Sequence, residues 1–173
     1  MLDSRGNPTV EVEVAAGGAK GRFQVPSGAP TGRFEAVELR DGDLSQYGGL
    51  GVGQAVAHVN DLLGPAVNGR DSGDQAGIDA LLCEMDSTPN KARLGANAIL
   101  GLSGAVAVAA AQQRQIPLYR YLAELYQHSG DLAMPMPMVN MISGGLHAGG
   151  QIDVQDYLFV PGGVQLPRSH APR

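Results

Sequence analysis

From Thr9 to Val14 apolar and acidic positions alternate, Val10, Val12 and Val14 against Glu11 and Glu13. A period of two places the valines on one face and predicts a half-buried strand. Gly17-Gly18, inside Ala15 to Ala19, is a hairpin signal, and Lys20 to Val25 resumes the alternation through Phe23 and Val25. Pro26-Ser27-Gly28-Ala29-Pro30-Thr31-Gly32 breaks regular structure. A third strand is expected from Phe34 to Leu39, completing a three-stranded antiparallel meander that ends at the turn Asp41-Gly42-Asp43.

The period then changes. Val52, Ala55, Val56, Val59 and Leu63 mark one helical face, and Ile78, Leu81, Leu82 and Met85 mark another. Leu94 to Gln113 is apolar nearly all round, with Gly95, Gly101 and Gly104 among alanines and valines, which predicts a helix buried on most sides with closely approaching neighbours. Pro117 suits a helix first turn, and Leu118, Tyr121, Leu122 and Leu125 continue the stripe until Ser129-Gly130. Met134-Pro135-Met136-Pro137 reads as a stiff linker, and Met138 to Ile142 as a short apolar run. A glycine-rich loop, Ser143 to Gly150, then leads to a strand expected over Ile152 to Val160. The expected division is a first domain over residues 1–130, a second region over 131–161 and an irregular, disordered tail over 162–173.

Charge narrows the choice of partners. A formal net charge of -5 leaves no basic surface for a phosphate backbone, so nucleic acid is not an expected partner. The single cysteine, Cys83, has no bridging partner within the chain and is expected to be a buried thiol between Leu82 and Met85. No signal-peptide core and no apolar run of the roughly 20 residues a membrane span needs is present, so the expected location is cytoplasmic.

Two loops carry candidate chemistry. Pro26 to Gly32 combines two glycines with hydroxyls, and such a loop can offer backbone groups to an anion or metal, although a connection between strands needs the same residues. Gly144 to Gly150 flanks His147 with glycines, giving access to its imidazole, with Asp153 and Asp156 following. Those carboxylates share a face only if the strand is irregular, and the spacing fits no zinc site. His58 and His128 fall on or at the end of helices and read as structural. Neither Leu50-Gly51-Val52-Gly53 nor Leu100-Gly101-Leu102 completes a phosphate-loop fingerprint.

In order along the chain, Asp3-Ser4-Arg5-Gly6-Asn7-Pro8-Thr9-Val10-Glu11-Val12, Val25-Pro26-Ser27-Gly28-Ala29 with Thr31-Gly32, and Glu38-Leu39-Arg40-Asp41-Gly42-Asp43 resemble the enolase family. So do Asn90-Lys91, Leu94 to Gly101, Pro117-Leu118-Tyr119 and Gly144-Gly145 with His147-Ala148-Gly149, with details of bacterial type. The resemblance covers Asp3 to about Pro161. It implies an enolase-like N-terminal α+β domain followed by the first two strands of an incomplete (β/α)8 barrel. It also implies the family reaction, glycolytic dehydration of 2-phosphoglycerate to phosphoenolpyruvate, with two Mg2+ ions and a lysine base. By resemblance Ala29, His147, Gln155 and Asp156 are substrate-contact positions, and Pro30 faces a metal through its carbonyl alone.

Two positions depart from the family pattern. Pro30 stands where a serine would add a hydroxyl ligand, and it stiffens a loop whose closure the chemistry uses. Asp156 stands where a glutamate would reach about one carbon–carbon bond, roughly 1.5 Å, further. The family's base, proton donor and first-metal carboxylates belong to barrel segments beyond the resemblance. The chain is therefore expected to be inactive alone, and either to expose an apolar patch around Val139, Ile142, Val154, Leu158 and Val160 or to self-associate through it. Two alternatives stay open at this level: a non-catalytic interaction module on the same fold, or the product of a frame-shifted gene.

Overall fold

The computed structural model describes residues 1–28, 32 and 34–162. The chain divides into two compact units, Met1–His128 and a second that begins at Ser129. The expected tail lies outside the described residues apart from Gly162.

In the first unit β1 (Glu11–Ala16) and β2 (Ala19–Gln24) form an antiparallel hairpin with Val12 opposite Phe23 and Ala16 opposite Ala19. Gly17 and Gly18 both take positive φ, 54° and 83°, which closes a two-residue turn whose twist matches the strands. Val10 and Val12 are buried, Val14 partly so, as the alternation predicts. Thr9 extends the pairing by donating its hydroxyl to the Val25 carbonyl at 2.7 Å.

The third strand is not formed among the described residues. Phe34 to Leu39 instead spends its backbone groups on the loop that precedes the long helix: Val37 N–H donates to the Asn90 carbonyl, and Ala96 N–H donates to the Val37 carbonyl, both at 2.8 Å. Asn97 completes the pairing with its side chain, accepting from Leu39 N–H at 3.1 Å and donating to the Leu39 carbonyl at 3.0 Å. One buried amide thus does what a neighbouring strand would have done. Alternation along 34–39 encodes an extended chain but not its partner.

The helices follow. α1 (Gly53–His58) runs through a π turn at Val59–Leu63 into α2 (Gly64–Val67). Pro65 has no N–H to continue the α ladder, which accounts for the change of bonding there. α3 (Gln75–Asp86) is capped by Asp74, whose carboxylate accepts from Gly77 N–H at 3.0 Å. α4 (Ala96–Gln113) and α5 (Leu118–Leu125) complete the unit. Cys83 is exposed, contrary to expectation. The buried line of α3 is Ile78, Leu82 and Asp86, at four-residue steps, and the next position after Leu82 turns about 100° away from it.

α4 lies directly on the hairpin. A Cβ built on Gly21 would overlap the Ala105 carbonyl and the Ala109 nitrogen, and one on Gly101 would come within 2.8 Å of Val12 and 3.2 Å of Val25. Small residues on both surfaces allow this approach. The core then gathers around α4: Val10, Val12 and Val25 from below, Ile78 and Leu82 from α3, Leu63 from the π turn. Among the described residues no helix is long and apolar enough to cross a membrane.

In the second unit β3 (Val139–Ser143) pairs antiparallel with β4 (Asp156–Phe159), with a bulge between Asn140 and Ile142. Two strands make no closed barrel. The expected strand over Ile152 to Val160 is shorter, because residues 152–155 curl over Gly144. Gly144 and Gly145 N–H groups donate to the Gln155 and Ile152 carbonyls at 2.6 and 2.7 Å. A side chain at Gly144 would overlap the Val154 carbonyl. Every residue of both strands is exposed, including Ile142, Leu158 and Phe159.

Asp86 is the most enclosed carboxylate, 0% exposed. Burial pushes its pKa up, but hydrogen bonds outweigh that and hold the carboxyl below its ordinary value. They come from the Thr88 hydroxyl and from the N–H groups of Leu94 and Thr88, at 2.7 and 3.0 Å for the two amides. A depressed folded-state pKa adds stability above the unfolded value, near about 3.9, and that stability is lost as pH falls through the lower folded value. Asp86→Asn is expected to cost about 1.5–3 kcal/mol in urea denaturation at pH 7, with the gap to wild type narrowing in acid below about pH 4. A gap that stays constant down to the acid limit would contradict this. Gly21→Val is expected to cost about 1–3 kcal/mol by overpacking, while Lys20→Val, one residue away on the exposed side, stays near neutral by the same measurement.

Candidate functional site

The base of the Pro26–Gly32 loop is built from Arg40. Its Nη1 donates to the carbonyls of Pro8 and Leu50 at 2.6 and 2.7 Å. Nη2 donates to Glu38 at 2.6 Å and approaches the Ser27 hydroxyl at 3.5 Å. One guanidinium therefore ties together the opening turn, the start of the loop and the approach to α1, with the Glu38 carboxylate balancing its charge in a half-buried setting. Asp41 takes up the next step by accepting from Gly53 and Gln54 N–H at 2.7 and 2.8 Å, which caps α1 from a distance in sequence.

Asp3 borders the same cavity as Ser27, Gly28 and Gly32. Its carboxyl is held below the ordinary value chiefly by the Asn7 N–H, then by the Arg5 N–H, the Ser27 hydroxyl and the Arg5 charge, against a smaller upward push from burial. Gly32 N–H donates to Glu35 at 3.0 Å, closing the far end of the loop. Ala29 and Pro30, expected at substrate and metal, lie outside the described residues.

The other expected site residues belong to the second unit. His147 sits in a 3-10 turn, Gly145–Ala148, framed by positive φ at Gly145, Gly149 and Gly150. Gln155 closes that loop through its backbone carbonyl, as described above. Asp156 opens β4 opposite Ser143, and its Oδ1 accepts from Asn140 Nδ2 at 2.8 Å and from the Ser143 hydroxyl at 3.4 Å. Asp153 stays in the bend before the strand. The structure thus gathers the backbones of His147, Gln155 and Asp156 around one loop.

No group of three or more His, Cys, Asp or Glu side chains converges on a metal position among the described residues. A Mg2+ ion asks for several oxygen donors in near-octahedral order. Among the described residues Asp156 supplies a single carboxylate, already engaged by Asn140 and Ser143, and the expected metal-facing position, Pro30, is not one of those residues.

Residues 1–122 match the model of the enolase N-terminal domain, and residues 131–169 match that of the enolase C-terminal TIM barrel domain. The chain belongs to the enolase family. Within the stretch matched to the enolase barrel domain there is neither lysine nor glutamate, and the lysines of the chain, Lys20 and Lys91, both lie in the first unit.

Arg40 and Asn97 are the structural supports that sequence reasoning did not single out. The available signal was an arginine set among carboxylates, Glu38-Leu39-Arg40-Asp41, which asks for a use beyond solvation. Arg40→Ala is expected to destabilise the first unit by about 2–3 kcal/mol through its charge-assisted bonds. Arg40→Lys should recover only part of that in the same urea titration, because an ammonium does not reproduce the fork. Equal stability of the alanine variant and wild type would refute the role.

Proposed function

We propose that this enolase-family chain carries the family's N-terminal domain over residues 1–130 and the opening of its barrel domain over 131–161, and that these 173 residues do not turn over 2-phosphoglycerate by themselves. The observation that carries the reading is the content of the barrel-domain stretch: two exposed strands, no lysine and no glutamate. The family scheme assigns its base and proton donor to those residue types. Ala29, His147, Gln155 and Asp156 are then inherited substrate-contact positions, and Pro30 a carbonyl toward Mg2+. Asp156, shorter than the family's glutamate, spends its Oδ1 within its own hairpin, which supports loss rather than change of activity. The cytoplasm is the compartment that goes with a glycolytic family.

A second reading concerns assembly. Met141, Ile142, Leu158 and Phe159 are all about half exposed or more, and among the described residues neither strand of the hairpin pairs with a further strand. We infer that copies of the chain associate through this hairpin. One preparation tests both readings: the purified chain is passed through size exclusion with light scattering and then assayed with 2-phosphoglycerate and Mg2+ in a coupled assay. The expected result is a mass above that of the monomer and no turnover above the blank. Steady phosphoenolpyruvate production by homogeneous chain would overturn the first reading, and a strictly monomeric elution at all concentrations would overturn the second.

A further inference from the structure

The first unit holds a cavity that none of the family chemistry uses. It lies between α3, α4 and α5, has a volume of about 440 Å³, and is walled by Phe23, Leu100, Leu118, Leu122, Leu125 and Tyr126. That is within the size of small-ligand sites. Three of the wall leucines, Leu100, Leu122 and Leu125, are 44%, 41% and 40% exposed, so an apolar rim faces outward.

One end of the cavity is polar. Gln75, only 6% exposed, donates its Nε2 to Asp79 Oδ1 at 2.9 Å, to the Ser103 hydroxyl oxygen at 3.2 Å and to the Ser103 carbonyl at 3.3 Å. Its Oε1 is buried with no partner. Turning the amide over would set Oε1 against the Asp79 carboxylate and the Ser103 carbonyl, so the unsatisfied atom is an acceptor by necessity. Asp79 is half-buried, and no ion pair engages it among the described residues. Nor does any Lys or Arg line the cavity. A buried acceptor without a donor is costly in a folded protein and asks for an explanation.

We propose that this cavity binds a small amphiphile with an apolar body and an ammonium head. The body occupies the leucine and aromatic walls. The head sits at the Asp79 carboxylate beside the Gln75 amide, where it brings hydrogen-bond donors and a positive charge that no Lys or Arg of the cavity wall supplies. An anionic head meets the like charge of Asp79 there, with the Ser103 hydroxyl as a neutral donor that does not offset it, so a fatty acid or phosphate ester is disfavoured at the same position. The site owes nothing to the barrel-domain stretch, because every lining residue lies within Met1–His128. It stands whether or not the chain turns over 2-phosphoglycerate.

The test is a titration of the isotope-labelled full chain, followed by amide NMR, with n-octylammonium, octanoate and octanol as probes. Saturable shifts with octylammonium at Gln75, Ala107 and Leu122 are expected, with binding at least about tenfold weaker for octanol and octanoate and for the Asp79→Asn variant, a difference of about 1.4 kcal/mol. Asp79→Asn keeps an oxygen for the Gln75 amide, and its own spectrum reports that it is folded. Octanoate binding as tightly as octylammonium, an unchanged affinity in Asp79→Asn, or shifts mapping elsewhere would overturn the proposal. So would shifts at the groove that follow protein concentration without any probe, since the occupant would then be a second copy of the chain.

Discussion

The first unit depends on the contact between α4 and the β1–β2 hairpin. Gly21 on the strand and Gly101 on the helix carry no side chain, so the two elements approach until valine methyls sit where a Gly101 side chain would be. Gly104 does the same for Phe23. Dispersion falls off steeply with separation, so a close approach of small residues can replace the bulk that larger side chains would supply. This explains how a chain with few aromatics encloses a core. It also explains why α4 is apolar nearly all round: β-strands press on one side, while α3 and α5 cover others.

The buried polar groups complete what the sheet leaves unfinished. Asn97 pairs with both backbone groups of Leu39, Asp86 receives the amides that open the loop to α4, and Arg40 collects three carbonyl or carboxylate oxygens beside the Pro26–Gly32 loop. All three act on segments without regular structure. Irregular backbone near a core must still satisfy its donors and acceptors, and side chains are the means available. The segment 34–39 is therefore fixed in place without a strand ladder, and the loop beside it starts from a rigid base.

The expected substrate-contact positions belong to two units with different characters. In the first, the loop is supported by charge-assisted bonds around a real core. In the second, a hairpin exposes both faces, and its chemistry-bearing residues are held by local contacts: Gln155 by Gly144, Asp156 by Asn140 and Ser143. A functional site on rigid elements keeps its geometry, and one on an uncovered hairpin does not have that support. The chain belongs to the enolase family, and the stretch matched to its barrel domain holds neither lysine nor glutamate.

The alternation of Thr9 to Val14, the glycine pair of the hairpin turn and the apolar face of each helix were all legible by themselves, because period and φ preference are local properties of the chain. So were the ordered motifs that place the chain among the enolases. The missing third strand was not legible, since 34–39 has strand-like alternation and only the fold reveals that Asn90, Ala96 and Asn97 supply its partners. The exposure of Cys83 turned on a single 100° step around α3, finer than an apolar run can specify. The joint role of Arg40 links Pro8, Ser27, Glu38 and Leu50, and the acceptor left alone on Gln75 is defined by Asp79 and Ser103. Sequence by itself set which residues prefer which conformation and which lineage they come from. Tertiary structure decided who meets whom, because hydrogen-bond partners distant along the chain are chosen by packing.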